Sequence, residues 1–279
     1  MSETFMVLGA TGKTGRRVAD RLREAGKTVR AASRSGETRF DWQDESTWAA
    51  ALDGVHAVYL VAPTVPSQAW AVVPPFVRQA VAAGVRRLVL LSARGIDAAG
   101  DEKFLTSERA VRDSGAEWTI LRPTWFAQNF SEAFFLPQIL EGVLAVPTGE
   151  GKEPFIDVED IADVAVAALT EDHHAGKVYE LSGPEALTFG EAAGKIAAVL
   201  GREIRFVDLD GEAFLKGSVE AGVPEEHAGV LLGLFTAIRN GFDAHLSTGV
   251  RDALGREPRS FDAYARAAAG AGAWAGQAR

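Results

Sequence analysis

In the first two-thirds of the chain, short apolar runs alternate with amphipathic stretches, and this rhythm predicts strands that alternate with helices. The run Arg87–Ser92, RLVLLS in sequence, has the length and composition of a buried strand. The segment Gly15–Ala25 instead carries Val18, Ala19 and Leu22 at helical spacing. Strands and helices that alternate in this way are typical of parallel βαβ units. The pattern therefore predicts an α/β fold built on a doubly wound parallel sheet.

The same pattern assigns the individual elements. The predicted strands are Phe5–Gly9, Val29–Ser33, Arg39–Asp41, Ala57–Val61, Arg87–Ser92, Trp118–Arg122, Val178–Leu181 and Glu203–Asp208. The predicted helices are Gly15–Ala25, Ser46–Leu52, Pro74–Ala83, Lys103–Ser114, Asp160–Leu169, Thr188–Leu200, Gly211–Ala221, Glu225–Asn240 and Ser260–Ala268. Thr188 and Glu191 have the spacing of a capping box at a helix start. Since helices dominate the later part, we expect a first domain over 1–154, with returning segments in 155–182, and a smaller C-terminal lobe over 183–279.

Composition narrows the class of protein. The 279 residues are 47% hydrophobic and 24% charged, which is ordinary for a globular protein. The absence of cysteine excludes disulfides, a thiolate nucleophile and cysteine-ligated metals. A net charge of −9 disfavours binding to nucleic acid, and no apolar run reaches the roughly 18–20 residues of a membrane span. With no signal-peptide pattern at the N-terminus, we expect a cytoplasmic protein without a nucleic-acid or membrane partner, either monomer or homodimer.

The loop after the first predicted strand carries the clearest chemical signal. Its sequence is Gly9-Ala-Thr-Gly12-Lys-Thr-Gly15, and it opens the first predicted helix. Backbone N–H groups at such a helix start bind phosphate, and glycine lets the backbone approach the pyrophosphate closely. The alternative is a glycine-rich turn with only a structural role. The strand–loop–helix context favours a dinucleotide site in a Rossmann domain. The predicted contacts are Gly9, Thr11, Gly12, Lys13, Thr14 and Gly15.

The end of the second strand indicates which dinucleotide binds. An NAD site usually places an Asp or Glu there for the ribose 2′-hydroxyl, but no carboxylate lies between Glu24 and Glu37. Arg34, with Ser33 beside it, would instead meet the 2′-phosphate of NADP through charge-assisted hydrogen bonds. A solvated surface arginine is the alternative. We therefore predict NADP(H) as the cofactor, with NAD less favoured, and expect Asp41 near the adenine amino group.

Several motifs, taken in order, resemble the NmrA-like branch of the atypical short-chain dehydrogenase/reductases. They are the glycine loop, Leu91-Ser92-Ala93, Trp118-Thr-Ile-Leu-Arg-Pro-Thr124, Phe155-Ile-Asp-Val-Glu-Asp-Ile-Ala162 and Tyr179-Glu-Leu-Ser-Gly-Pro-Glu185. The segment with Phe40-Asp41-Trp42 and Thr47-Trp48 is similar to bacterial relatives of fungal ergot-alkaloid festuclavine dehydrogenases. The branch also holds NADPH quinone reductases and redox-sensing regulators. The resemblance implies further cofactor contacts at Val61, Ala62, Pro63, Ser92, Ala93, Pro123 and Thr124.

The chain departs from the wider superfamily at the catalytic pair. That pair is Tyr-x-x-x-Lys, but none of Tyr59, Tyr179 and Tyr264 has a lysine four residues later. Phe104 aligns where relatives often carry lysine or histidine, and Lys103 would point about 100° away on a helix. The catalytic residues are therefore unassigned, with Ser92 and Lys103 as candidates.

This departure selects between kinds of acceptor. A positively charged iminium accepts hydride without a dedicated protein acid, and a quinone is also activated, because the cofactor supplies the hard chemistry. We predict an NADPH-dependent oxidoreductase that transfers hydride to a small, hydrophobic, activated acceptor: an imine or iminium, a quinone or a related carbonyl. A non-catalytic NADP(H)-sensing regulator of the NmrA type is the alternative.

An aromatic run follows the sixth predicted strand, where ligands sit in doubly wound sheets. Trp125, Phe126 and Phe130 would line an apolar substrate pocket together with Phe104, and Asn129 would orient the substrate. Packing between lobes is the alternative for these rings.

One acidic motif of the chain is a candidate metal site by residue type alone. Asp157, Asp160 and Asp163 have a spacing that suits no standard metal site, and we predict none.

Overall fold

The computed structural model of the chain describes residues 3–63, 66–96, 102–132, 134–242 and 244–275. Its strands, in chain order, are β1 (Thr4–Leu8), β2 (Thr28–Ser33), β3 (Thr38–Arg39), β4 (Val55–Val61), β5 (Arg87–Leu91), β6 (Glu117–Pro123), β7 (Val143–Val146), β8 (Lys152–Glu153), β9 (Lys177–Leu181), β10 (Leu187–Thr188) and β11 (Arg205–Asp208). Its α-helices are α1 (Lys13–Glu24), α2 (Trp48–Leu52), α3 (Pro66–Ala82), α4 (Thr106–Arg112), α5 (Leu136–Glu141), α6 (Val158–Thr170), α7 (Phe189–Leu200), α8 (Gly211–Glu220), α9 (Glu225–Arg239), α10 (Gly249–Leu254) and α11 (Phe261–Gly270).

The main sheet has seven strands in the order β3-β2-β1-β4-β5-β6-β9, and every neighbouring pair is parallel. The strand order reverses between β1 and β4. In such sheets ligands bind beyond the carboxyl ends of the strands at this reversal. The predicted doubly wound Rossmann-type sheet is confirmed, and the glycine loop after β1 lies at its reversal point.

The described chain forms two compact units. The first unit contains the chain up to Pro123, together with Val158–Leu181 and Thr248–Glu257, so it holds the whole main sheet. The second contains Thr124–Asp157, Ser182–Ser247 and the chain from Pro258 onward. The division of the chain into a first domain over 1–154, with returning segments in 155–182, and a C-terminal lobe over 183–279 stays a prediction. Among the described helices, none is both long and apolar enough to cross a bilayer.

In the first unit, α1 and α6 are joined by ion pairs. Arg21 contacts Glu159 and donates from Nε to Asp163 at 2.6 Å. Arg256 in turn contacts Asp163 at 2.6 Å and the buried Asp160 at 2.7 Å. Asp160 and Asp163, two of the three aspartates of the acidic motif, are thus partners of arginines.

The core of the second unit is strongly aromatic. Phe130, Phe135 and Phe189 are fully buried there, and their ring centroids lie 5.0–6.1 Å apart. The capping box at Thr188 is present in both directions, so α7 begins where the sequence predicted.

Several elements differ from the predictions. The third helix begins at Pro66 rather than Pro74, because Pro74 and Pro75 lie inside it instead of opening it. The segment predicted as one helix from Lys103 begins with a 3-10 turn, Glu102–Leu105, before α4. The strands β7, β8 and β10 and the helices α5 and α10 were missed, since each is too short to establish a period.

Candidate functional site

The glycine loop makes a tight turn that only glycine allows at two positions. Gly9 has φ +62°, and its carbonyl oxygen accepts a hydrogen bond from the Gly12 N–H at 2.8 Å. A Cβ on Gly15 would lie 2.2 Å from that oxygen, so α1 packs directly on the turn. Gly12 caps α1 without a side-chain hydrogen bond. The amino end of α1, where backbone N–H groups favour an anionic ligand, therefore begins directly at this turn.

A cavity of about 390 Å³ lies beside this loop, at the carboxyl ends of β1, β2 and β4. It brings together a large part of the predicted cofactor set: Gly9, Thr11, Ser33, Arg34, Asp41, Val61, Ala62 and Pro63. The predicted Gly12, Lys13, Thr14 and Gly15 continue the loop into α1 and do not line the cavity. Carboxyl ends of neighbouring parallel strands meet at one edge of a sheet, which is why positions distant in sequence converge here.

Other residues of this cavity were not predicted from the sequence. They are Ala32, Ser35, Phe40, Trp42, Gln43 and Gln68. Trp42 is held in place, because its Nε1 donates to the Val61 carbonyl at 3.2 Å and its ring packs edge-on against Phe40. The position of Trp42 directly after Asp41 was the available signal for it.

Polar groups at the end of β2 give this cavity its charge. Arg34 is exposed, and the described part of the chain offers it no ion-pair partner. The Ser33 hydroxyl is buried and lacks a hydrogen-bond partner among the described residues. The Asp41 carboxylate accepts from the Gln43 N–H at 3.0 Å, which fixes the turn below the cavity. The Ser33 hydroxyl without a hydrogen-bond partner and the Arg34 guanidinium without an ion-pair partner, both judged within the described residues, suit a ligand that carries a phosphate.

Ser92 follows β5, where the sequence placed it, but its hydroxyl is engaged. It donates to the Glu108 carboxylate at 2.8 Å, and Arg122 donates to the same carboxylate twice at 2.9 Å. Burial alone would raise the pKa of Glu108, but the hydrogen bonds from Arg122 and Ser92 outweigh it and hold that pKa below its usual range. Ser92 therefore belongs to a hydrogen-bonded network built on the buried Glu108 carboxylate.

Lys103 and Phe104 meet on one indole that the sequence analysis did not identify. The Lys103 ammonium lies 5.9 Å from the centroid of the Trp70 ring, and Phe104 packs edge-on against that ring at 5.6 Å. Neighbouring residues of a 3-10 turn point about 120° apart, but the long lysine stem still reaches the ring that Phe104 contacts. Phe104 keeps 37% of its surface exposed.

The predicted substrate residues after β6 lie in the second unit and divide into two groups. Phe130 is fully buried among core phenylalanines, so packing accounts for it and a substrate contact at Phe130 gains no support. Trp125 is half-buried and stacks on Phe235 at 5.2 Å. Phe126 and Asn129 are also half-buried, and the described residues place no aromatic ring against Phe126.

The remaining predicted contacts have backbone or packing roles. Pro123 ends β6, and its carbonyl accepts from the Arg94 N–H at 3.0 Å. The buried Thr124 hydroxyl donates to the Pro154 carbonyl at 2.7 Å within the second unit. Ala93 follows Ser92 directly after β5.

Comparison with known proteins agrees with this geometry. A family model described as NAD(P)H-binding matches residues 9–172. The uncharacterized oxidoreductase YesF of Bacillus subtilis is 36% identical over 94% of each chain. A festuclavine dehydrogenase of Aspergillus fumigatus is 35% identical over 92% of this chain and 95% of its own. An NADPH-dependent quinone oxidoreductase from Escherichia coli, solved in complex with NADPH, aligns with a TM-score of 0.76 and 23% identity over 94% of this chain and 98% of its own. The chain therefore belongs to the NAD(P)H-binding family, in a group of oxidoreductases that includes dehydrogenases and reductases.

Proposed function

We propose that this protein is an NADPH-dependent reductase that transfers hydride to a small, hydrophobic, activated acceptor. The observation that carries the choice of NADPH is Arg34 at the cavity beyond β2, without an ion-pair partner in the described chain. No carboxylate at the end of β2 takes the place that an NAD site reserves for one. Arg34 and the Ser33 hydroxyl would hold the 2′-phosphate, and the loop N–H groups the pyrophosphate.

The choice of an activated acceptor rests on where the tyrosines lie. Tyr59 is fully buried in β4, and burial raises its pKa. Tyr179 is hydrogen-bonded to His174 at 2.9 Å, and Tyr264 packs against Phe261 with ring centroids 5.2 Å apart. Each tyrosine thus has a packing role. When bound, the nicotinamide supplies the hydride.

An acceptor that needs no proton from tyrosine suits this arrangement. An iminium gains hydride at carbon and becomes a neutral amine, whereas a ketone needs a proton on oxygen as well. Ser92 already donates to Glu108, so transfer of its proton to a substrate would leave a buried carboxylate with one donor fewer. The name of the festuclavine dehydrogenase relative supports hydride transfer, and the name of the quinone oxidoreductase supports a quinone as one kind of acceptor.

Phe126 is the strongest candidate for the substrate wall, with Asn129 as the orienting polar group. Both are half-buried and neither is needed to fill the aromatic core of the second unit. Trp125 contributes to the aromatic core and to the substrate wall, since one part of its ring is buried against Phe235 while part stays exposed. A flat hydrophobic acceptor fits walls of this kind.

The experiment is NADPH oxidation by the purified chain across a panel of cyclic iminiums, quinones and simple ketones. The proposal predicts turnover of an iminium or a quinone and little turnover of the ketones. Tight NADPH binding with no consumption by any acceptor would favour a non-catalytic NADP(H) sensor instead. Consumption with NADH as fast as with NADPH would contradict the cofactor assignment alone.

A further inference from the structure

Three side chains of residue types that bind metals lie at the amino-end side of the main sheet, whereas the glycine loop lies at the carboxyl-end side. Glu171, His173 and His174 occupy the connection between α6 and β9, next to the amino end of β9. One ligand atom from each of the three lies within 4.8 Å of the other two. We propose that these side chains form a binding site for a divalent transition-metal ion of the Zn²⁺ class.

The distances between these atoms suit a tetrahedral ion. The Glu171 carboxylate oxygen lies 3.6 Å from His173 Nδ1 and 3.7 Å from His174 Nε2. Ligands about 2.0–2.2 Å from zinc at tetrahedral angles are separated by roughly 3.3–3.6 Å. Both distances from the carboxylate to the imidazoles are thus within a few tenths of an ångström of those in a tetrahedral site, and the ligand atoms of the two histidines lie within 4.8 Å of each other. Two imidazoles and a carboxylate are a donor set that zinc favours, and a fourth position stays open for water.

The buried imidazole of His174 provides the independent observation. His174 is fully buried, and its Nε2 has no hydrogen-bond partner in the described part of the chain. A buried polar atom without a partner is costly, and structures rarely tolerate one without a reason. This Nε2 faces Glu171 at a distance too long for a hydrogen bond. A metal ion between the two groups would satisfy both of them.

The other contacts of His174 hold it in a ligating orientation. Its Nδ1 lies 2.9 Å from the Tyr179 hydroxyl, and its carbonyl accepts from the Thr119 hydroxyl at 2.8 Å. If Nε2 binds the ion, Nδ1 carries the proton and donates a hydrogen bond to the Tyr179 oxygen. Metal-ligating histidines almost always have such a partner on the second ring nitrogen, which fixes the tautomer and the ring plane.

Nearby charge does not oppose a cation. Arg87 is a basic group whose charge acts on His174, and it contacts Glu117 and Asp172, each at 2.6 Å. Its positive charge is therefore compensated by two carboxylates. Glu171 and His173 are 53% and 64% exposed, so an ion reaches the site from solvent between them.

The test is zinc binding by the full chain, expressed without a polyhistidine tag and stripped of metal with a chelator, measured by calorimetry. We expect one Zn²⁺ per chain. Glu171→Gln and His173→Ala each remove one ligand at an exposed position, so both variants should fold. Loss of a residue that only hydrogen-bonds to a metal ligand typically costs 10–100-fold in affinity. Loss of a ligand itself should therefore weaken zinc binding by each variant at least about tenfold. Co²⁺ in the same site should give the intense visible absorption of a four-coordinate ion.

The matched control is His227→Ala, which removes an exposed histidine of α9 and should bind zinc as the wild type does. Zinc should also raise the unfolding temperature of the wild type and of His227→Ala, but not of His173→Ala. The proposal is overturned if the wild type takes up no zinc. It is equally overturned if Glu171→Gln and His173→Ala both bind as tightly as the wild type.

Discussion

The Ser92 hydroxyl donates a hydrogen bond to the Glu108 carboxylate at 2.8 Å, inside a cluster that Arg122 closes with two further hydrogen bonds. Glu108 is 2% exposed, so its charge depends on these partners rather than on water. A serine at the end of β5 that is committed in this way acts on the stability of the sheet more than on the substrate.

Ser92→Ala tests this assignment. The substitution removes one donor from a buried carboxylate, which typically costs about 1–3 kcal/mol. We expect the free energy of unfolding to fall by that order while kcat stays within a few-fold of wild type. Urea unfolding and NADPH oxidation, measured on the same preparation, decide between the roles. A hundredfold loss of kcat at unchanged stability would assign Ser92 to catalysis.

Glu108 predicts a pH dependence of stability. A carboxyl with a lowered folded pKa stabilises the fold above its unfolded pKa of about 4.3, and this stabilisation is lost as pH falls through the folded pKa. Glu108→Gln should lose roughly 3–5 kcal/mol at neutral pH, because it removes the buried carboxylate that Arg122 contacts at 2.9 Å. As pH falls below about 4.3, the wild type should lose the contribution of Glu108 while the variant has none to lose, so the stability of the variant should decline less over that acid range. Urea unfolding across that range is the measurement, and parallel curves for the two proteins would contradict the assignment.

Arg34 predicts the cofactor preference. Arg34→Ala should weaken NADPH binding by about tenfold or more, since a charge-assisted hydrogen bond contributes roughly 1.5–3 kcal/mol, and should leave NADH binding unchanged. The matched control is Arg23→Ala, which removes an exposed arginine near the far end of α1. Fluorescence titration with both cofactors checks the prediction. Equal dissociation constants for NADPH and NADH in the wild type would defeat it.

Substitutions at two glycines of the loop should have different effects, one on cofactor binding and the other on folding. A Cβ at Gly12 would lie 3.1 Å from the Gly9 oxygen, a contact that small shifts relieve, whereas at Gly15 it would lie at 2.2 Å. Gly12→Val should therefore fold but bind NADPH at least about tenfold more weakly, because its side chain stands where phosphate approaches. Gly15→Ala should lower the unfolding temperature, and Gly194→Ala, which meets no atom within 4 Å, is the control. Unimpaired NADPH binding by a folded Gly12→Val protein would reduce the loop to a structural turn.

The sequence predicts those parts of the molecule that local pattern controls. Buried parallel strands such as β5 are short apolar runs, and once their order is known their carboxyl ends must form one cavity edge. The capping box of α7 is equally local, since Thr188 and Glu191 are three residues apart. These features need no knowledge of distant parts of the chain.

Tertiary partners leave no such local pattern. Glu108 lies within the predicted helix Lys103–Ser114 and Arg122 ends the predicted strand Trp118–Arg122, and only their burial together reveals the network around Ser92. Two prolines inside α3 mimic a helix start, since proline also favours the first helical turn. The cluster of Glu171, His173 and His174 sits on a short turn whose spacing matches no standard metal motif, so only the fold brings its ligand atoms together.

The tyrosines test the mechanism. Each of Tyr59→Phe, Tyr179→Phe and Tyr264→Phe should retain nearly full reductase activity, because none is placed as a proton donor beside a lysine. A positioned general acid typically contributes about 10²–10⁴-fold, so its loss would be plain. Thermal unfolding of each variant separates a loss of packing from a loss of chemistry.

The most direct test of the central claim is kcat/KM for NADPH oxidation with a cyclic iminium, compared between the wild type and these three variants. We predict that the wild type turns over the iminium better than the matching ketone, and that every variant stays within about threefold of it. A hundredfold loss in one folded variant that still binds NADPH would reveal a catalytic tyrosine and contradict the account.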